Sequence, residues 1–331
     1  MNKTHSKFFP CRETLRKLVL LVLLAAAIWC FYGIFQPPVA SLPEQVIGRD
    51  DELERILERA AMADKTVILT LSNEVWAAPN SIADMFLDSL WKGNGTRKYL
   101  DNLVVVSLDR QAQVRCKVQH RHCYLLLDVN STSREAAFMS PTYVDYMWKR
   151  MSFLLHVLEL GYSFVSSDAD ILWLQDPFPH FSPGADMAIS TDGFSGRSDD
   201  MGNYGNLGFY MTRSNERTIK FFKYFISCRN SYPHYKVQDV FHAIKRDANS
   251  TKIGVRMTFL DTVYFGGFCQ PSKNFNLVCT MHANCCTGLH KKILDLRLVV
   301  EDWFTFHNLS PAQKANISSF KFRSPHYCRL P

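Results

Sequence analysis

Residues 18–35 form an uninterrupted apolar run without a charge, about long enough to cross a bilayer as one helix. Lys3, Lys7, Arg12, Arg16 and Lys17 precede it against one acid, Glu13, while Pro37, Pro38 and Pro43 and then Glu44, Asp50 and Asp51 follow. Positive charge stays on the cytoplasmic side of a membrane. The pattern therefore predicts a cytoplasmic tail (1–17), a transmembrane signal anchor (18–35), a stem (36–50) and a lumenal domain (51–331). A cleaved signal peptide is the alternative, but its apolar region would be shorter and would end at a polar, small-residue site. Here Ala25-Ala26-Ala27 runs on into Ile28-Trp29-Cys30-Phe31-Tyr32.

An oxidising lumen suits the rest of the chain. Beyond the apolar run lie Cys116, Cys123, Cys228, Cys269, Cys279, Cys285, Cys286 and Cys328, an even set that favours disulfides. A zinc site is the competing reading, yet no C-x2-C pair is matched by another and the adjacent Cys285-Cys286 makes awkward ligand geometry. N-x-S/T acceptors occur at Asn94, Asn130, Asn249, Asn308 and Asn316. The formal net charge of +7 sits partly in the first twenty residues. It gives no ground for a nucleic-acid partner and would equally suit a phosphate-bearing ligand.

Downstream, strand-like and helix-like segments alternate. An amphipathic helix is expected over 51–63, with Leu53, Ile56, Leu57 and Ala60 on one face. Buried strands are expected at 67–71, at 103–108 ending on Asp109, and at 124–127 ending on Asp128. Tyr143, Met147, Met151, Leu154, Leu155 and Leu158 make an apolar helical stripe over 141–160, stopped by Gly161. Strands follow at 162–166, 187–190 and 207–211, a helix capped by Ser214 reaches Phe225, and helices recur at 237–244 and 291–300. This order predicts an α/β fold with a mostly parallel sheet, whose ligand crevice lies at the carboxyl ends of its strands.

One strand end carries chemistry. Phe164-Val165-Ser166-Ser167 runs into Asp168-Ala169-Asp170 and then Ile171-Leu172-Trp173-Leu174. In a strand-end turn two carboxylates separated by one small residue can face a single hard cation, Mn²⁺ or Mg²⁺. Such an ion would neutralise charge on a diphosphate leaving group. Two solvated turn acids are the plainer reading, but flanking apolar residues put this pair at the edge of a core, where unpaired carboxylates are costly.

The motif has companions. Met147-Trp148-Lys149-Arg150 and Leu158-Glu159-Leu160-Gly161-Tyr162 precede it, and Trp173-Leu174-Gln175-Asp176-Pro177-Phe178 closes it. Asn206-Leu207-Gly208-Phe209, Gln238-Asp239-Val240-Phe241, Phe259-Leu260-Asp261-Thr262, Phe265-Gly266-Gly267-Phe268-Cys269 and Cys279-Thr280-Met281-His282-Ala283-Asn284-Cys285-Cys286 follow. Over roughly residues 60 to 310 this series resembles the plant nucleotide-diphospho-sugar transferase family, which includes rhamnogalacturonan xylosyltransferases and extensin arabinosyltransferases. The resemblance implies a GT-A (Rossmann-like) glycosyltransferase domain, a UDP-linked donor, a glycan or glycoprotein acceptor of the cell wall, and a Golgi membrane location, with the endoplasmic reticulum as alternative. It implies metal ligation by Asp168, Asp170 and His282. Donor or diphosphate contacts would fall to Lys149, Asn206, Gly208, Gly288 and Lys291. For Arg150 a solvated helix face is as good a reading, Asn206 and Gly208 also suit an ordinary turn, and Gly266-Gly267 could approach substrate or simply form a tight turn.

There is one departure. The family usually carries Asp-Gln where this chain has Val237-Gln238, which leaves Gln238 and Asp239 as the catalytic candidates. The resemblance further implies transfer with retention of anomeric configuration, without a dedicated protein base. Two other readings stay open from the residues: a lumenal phosphohydrolase acting on nucleotide diphosphates, and a non-catalytic glycan-binding or scaffold protein.

Overall fold

Strands covered on both faces read as unbroken aliphatic runs, and Thr66–Ser72 and Leu103–Ser107 are two such runs, buried along nearly their whole length. The computed structural model describes residues 47–126, 140–233, 235–316 and 320–329. In chain order its elements are helix α1 (Ile47–Ala60), strand β1 (Thr66–Ser72), α2 (Ile82–Lys92), β2 (Leu103–Ser107), α3 (Arg110–Gln119), β3 (Cys123–Leu125), α4 (Pro141–Glu159), β4 (Ser163–Ser167) and β5 (Ile171–Trp173). They continue with β6 (Met187–Gly193), β7 (Tyr204–Thr212), α5 (Glu216–Ser227), α6 (Val237–Ile244), α7 (Ala248–Ile253), β8 (Met257–Phe259), β9 (Phe265–Gly267), β10 (Thr280–His282), α8 (Leu289–His307) and α9 (Pro311–Asn316).

Seven strands form the central sheet in the order β3-β2-β1-β4-β7-β6-β8, and β5-β10-β9 form a smaller one. The first four strands of the large sheet are parallel, β7 runs antiparallel to both β4 and β6, and β8 returns parallel to β6. The sheet is thus mostly parallel as expected, but its 187–190 and 207–211 segments form the antiparallel part. Chain order reverses beside β1, between β2 and β4, and the crevice of such a sheet opens at that switch.

Alternation along each strand feeds two cores. Val67, Leu69, Val104, Val106 and Phe164 face α1, α4, α5 and α6, while Ile68, Val105 and Val165 face the side that α2 and α3 supply with Phe86, Leu90 and Cys116. A third core, with Leu296, Val299 and Trp303 of α8, packs under the small sheet. Helix α4 begins with Ser140, whose hydroxyl accepts from the Tyr143 backbone N–H, and with Pro141 in its first turn. Helix α5 is capped by Asn215 in a reciprocal box with Thr218, not by Ser214, whose hydroxyl instead donates to the Leu158 carbonyl at 2.7 Å. Asp109 is an N-cap as well as a strand-end acid, since one oxygen accepts from Ala112 N–H and the other from Glu74 N–H.

Six of the eight cysteines pair, Cys116–Cys123, Cys269–Cys285 and Cys286–Cys328, whereas Cys228 and Cys279 are buried thiols. The adjacent Cys285 and Cys286 thus serve two different bridges, with Cys285 in the left-handed region at φ 51°. The apolar run 18–35, the tail and the stem up to residue 46 lie outside the described residues, as do Asp128 and Asn130. No described helix is long and apolar enough to cross a membrane. Asn94, Asn249 and Asn308 are exposed.

Asp186 ties the antiparallel part together. Its side chain is fully buried and accepts from Arg217 at 2.6 and 2.8 Å, from Arg256 at 3.2 Å and from Asn215 at 3.1 Å. Burial alone would raise this carboxyl, but Arg217 and Arg256 outweigh it and hold it well below the usual carboxylate range. The stability it contributes is complete above the unfolded value of about 4 and is lost as pH falls through the lower folded value. Asp186→Asn should therefore lower unfolding free energy by about 1–3 kcal/mol at pH 7. Urea titrations should show the gap from the parent chain closing below about pH 4.

Candidate active site

Strand β4 ends where Asp168 leaves the sheet. Asp168 N–H donates to the Gly208 carbonyl at 2.7 Å, and Ile171 N–H closes a turn on the Asp168 carbonyl at 3.2 Å. Ala169, 2% exposed, points inward, leaving both carboxylates on the same side of the turn. Beyond it β5 pairs antiparallel with β10 in a register that sets Ile171 opposite His282, and Ala283 N–H donates to the Asp170 carbonyl at 3.0 Å. The small sheet thereby brings the histidine to the acids.

One ligand atom each from Asp168, Asp170 and His282 lies within 4.8 Å of the others. That is close to the span of one ion's coordination sphere, about 4 Å for ligands at ~2.1 Å. Asp170 Oδ1 is buried without a hydrogen-bond partner, and His282 Nε2 stands 3.3 Å from it. Gly208 supplies the remaining wall: a Cβ there would lie 2.5 Å from His282 Cε1, 2.8 Å from Asn206 Oδ1 and 2.9 Å from Asp168 Oδ2. Two carboxylates, an imidazole and an orphaned buried oxygen around a side-chain-free position fit a divalent cation.

The two acids differ in surroundings. Asp168 keeps 31% side-chain exposure and takes a 2.5 Å bond from Arg150, which is buried and also donates to Ser166 Oγ at 2.7 Å. Asp170 is 2% exposed and takes the Lys292 ammonium at 2.5 Å. Burial would raise the Asp170 carboxyl, but Lys292 and His282 outweigh that effect and hold it well below the usual carboxylate range. Tyr143, on the first turn of α4, feels the same charges: burial and then Asp168 push its hydroxyl up to about 12.

A second carboxylate centre adjoins the first. In β6 the pairing passes from Thr191↔Gly205 to Gly193↔Tyr204, so Asp192 is the extra residue of a bulge, and bulges re-aim side chains in this way. Asp192 accepts from Asn206 and Asn284 at 2.7 Å each and from Gln238 at 3.2 Å. The Asn206 side-chain oxygen in turn accepts from Gly208 N–H at 2.7 Å, which connects the two centres. Between Ser190↔Asn206 and Ile189↔Tyr210, β7 makes a further excursion that carries Gly208 toward Asp168.

The structure thus gathers Asp168, Asp170, His282, Asn206, Gly208 and Gln238. Lys149 does not join them: it pairs with Asp145 at 2.8 Å on the half-exposed face of α4, and the next residue, Arg150, reaches Asp168. Gly288, at φ 97°, is the N-cap of α8. Lys291 lies half-buried in the first turn of α8, and Lys292 is the lysine on Asp170. Asp239 stands 3.9 Å from Lys236. Val237 is buried in the core. Gly266 and Gly267 permit close approach by Ser272 and Asn284, at 2.8 and 2.5 Å from a Cβ, so their tight packing is internal. Sequence reasoning did not single out Asp192 or Tyr143. Asp192 could have been found as an acid ending a strand, like Asp168, whereas Tyr143 is hidden in an apolar stripe.

Residues 98–296 match the sequence profile of the nucleotide-diphospho-sugar transferases. The chain belongs to that family. It is accordingly a glycosyltransferase by descent. An uncharacterized protein of Arabidopsis thaliana, At4g15970, is 42% identical over 279 residues, covering 84% of this chain and 73% of that protein. The UDP-D-xylose:L-fucose alpha-1,3-D-xylosyltransferase MGP4 of the same plant is 24% identical over 177 residues, 53% of this chain and 47% of that enzyme. Among solved structures, a glycosyltransferase involved in glycosylation of the major capsid of PBCV-1 aligns over 70% of this chain and 98% of its own, with 12% identity and a TM-score of 0.41.

Gly208→Ala should weaken Mn²⁺ binding by about 10–100-fold, because the added methyl would push His282 and Asp168 out of the orientation that faces one ion. Calorimetric titration with Mn²⁺ checks this. Unchanged affinity would mean that the ion does not sit between Asp168 and His282.

Proposed function

We propose that this chain transfers a sugar, a pentose, from a UDP-linked donor to a cell-wall polysaccharide or glycoprotein, using Mn²⁺ or Mg²⁺ held by Asp168, Asp170 and His282. The convergence of those three side chains from two sheets, around a buried Asp170 oxygen that takes no well-formed hydrogen bond, is the observation that carries the reading. When bound, the ion neutralises charge on the departing diphosphate. Lys292 is placed to share that work: its ammonium rests on Asp170 and can turn to a phosphate oxygen without leaving the site. Arg150 fixes Asp168 through a buried fork. Asp192, held by three amides, would accept hydrogen bonds from hydroxyls of the donor sugar, and the Asn206 amide beside it would donate one.

Neither a Ser/His/Asp motif of the G-x-S-x-G type nor an H-E-x-x-H site occurs in the sequence. That fits a reaction driven by positioning and electrostatics. The acceptor hydroxyl attacks the face the diphosphate leaves, a leaving phosphate oxygen takes its proton, and configuration is retained. The UDP-D-xylose:L-fucose xylosyltransferase activity of the MGP4 relative supports the donor class, and the pattern of the 18–35 run with its flanking charges supports a type II Golgi membrane protein.

The test uses the purified full-length protein with UDP-xylose, UDP-arabinose, UDP-galactose and UDP-glucose, with and without Mn²⁺. One donor should give Mn²⁺-dependent UDP release that falls about a hundredfold or more in the Asp168→Ala/Asp170→Ala protein, circular dichroism confirming that the variant is folded. No donor binding by folded parent protein would leave the non-catalytic reading in its place. Release indifferent to every acceptor would leave the phosphohydrolase.

A further inference from the structure

The bulge that aims Asp192 also leaves one aromatic ring uncovered. Tyr204 opens β7, and its cross-strand partner is Gly193, which has no side chain to lie over it. One face of the ring stacks on His242 of α6, with centroids 4.1 Å apart and planes 18° from parallel. His242 is fixed in turn, its Nε2 lying 2.9 Å from the Gly205 carbonyl. Gly205 is confined as well, since a Cβ there would meet Phe259 and Phe241 at 3.0 and 3.1 Å. Yet Tyr204 remains 49% exposed. A large ring backed on one side, anchored at its backbone and open on the other is a preformed flat surface that loses little entropy when covered.

Its neighbours are polar. Asp239 stands one turn before His242 on α6, beside the stacked pair; burial raises the Tyr204 hydroxyl, and the charge of Asp239 and then that of Asp192 add to the rise. The Lys236 ammonium stands 3.9 Å from Asp239, a loose pairing that leaves carboxylate capacity for another donor. Tyr204 is two residues from Asn206, which joins Asp192 to the Gly208 wall of the metal site. Sugar rings offer a face of C–H groups for an aromatic surface and hydroxyls around the edge for carboxylates, and recognition sites pair these features.

We propose that Tyr204, backed by His242 and flanked by Asp239, is the stacking platform for the terminal sugar ring of the glycan acceptor. This rests on the transferase reading above. It adds the residues that would hold an acceptor ring next to the donor sugar, and the class they select: a glycan with an accessible ring face, not a bare peptide hydroxyl. Tyr204 is then a positioning and specificity residue, and the proton of the reacting hydroxyl does not pass through it.

Two measurements separate this proposal from the function it rests on. In the first, saturation-transfer NMR is run on full-length protein with UDP and Mn²⁺ against methyl glycosides of fucose, galactose, xylose and arabinose. At least one should show saturation of its ring C–H protons, lost in Tyr204→Ala and restored in Tyr204→Phe. No saturation of any probe by the parent protein, or equal saturation in Tyr204→Ala, overturns the platform whether or not a donor is turned over. In the second, with a donor identified, Tyr204→Ala should raise the acceptor KM at least tenfold and Tyr204→Phe less than threefold. A rise in donor KM with acceptor KM unchanged assigns the ring to the donor sugar and overturns the proposal, even though transfer itself stands.

Discussion

An ionised carboxylate taken out of water is tolerable only where other groups replace its hydration, and Asp170 is almost wholly buried at the end of the central sheet. Its replacements come from far along the chain: Lys292, 122 positions away, and His282 on β10. Both must be delivered by structure that follows the large sheet in sequence. β5 leaves the turn directly, β10 pairs with it, and α8 begins a few residues later with Lys292 in its second turn. The Cys269–Cys285 bridge closes the segment between β9 and α8, and Cys286–Cys328 ties the same corner to the C-terminal stretch. The small sheet, its disulfides and the third core thus support one side chain's environment.

The charge balance around the two acids has a consequence. Asp168 is matched by Arg150 and Asp170 by Lys292, so the pairs are near neutral before any ligand arrives. A lone dication entering such a site meets two cations as well as two anions. A diphosphate alone meets the reverse. Entering together, each compensates the other, and on the transferase reading binding of ion and donor is therefore cooperative. The asymmetry in burial fits that picture. Asp168 is the partly exposed member, and Asp170, whose Oδ1 has the His282 ring 3.3 Å away and takes no well-formed hydrogen bond, sits on the closed side.

Much of the fold was legible in the sequence because buried parallel strands announce themselves. Val67–Leu71 and Leu103–Leu108 lie within a residue of β1 and β2, and the apolar stripe with Gly161 behind it placed α4. What escaped was short or weakly patterned. β5, β9 and β10 are three residues each, too short for any period, and they exist because they pair with one another. α3 buries only Ala112, Gln113 and Cys116, so it has no apolar stripe to read. The antiparallel turn of β7 depends on contacts with strands on both sides, which no local pattern encodes. The same division holds at the site. A motif of two acids and a histidine is visible as residue types, but the choice of Arg150 over its neighbour Lys149 is a matter of helix phase: Lys149 faces outward to Asp145, and a residue one position on turns about 100° toward the sheet.

Helix phase also bears on the one departure from the family pattern. Val237 is 7% exposed and packs in the main core with Val240 and Phe241, so α6 is oriented by that apolar side. A carboxylate at position 237 in this orientation would enter that apolar core, where an ionised group costs far more than a valine. Gln238 and Asp239 lie on the other side of the helix, Gln238 on Asp192 and Asp239 near Tyr204. In this chain position 237 serves the core, and the carboxylate that Gln238 meets comes from the sheet, at Asp192.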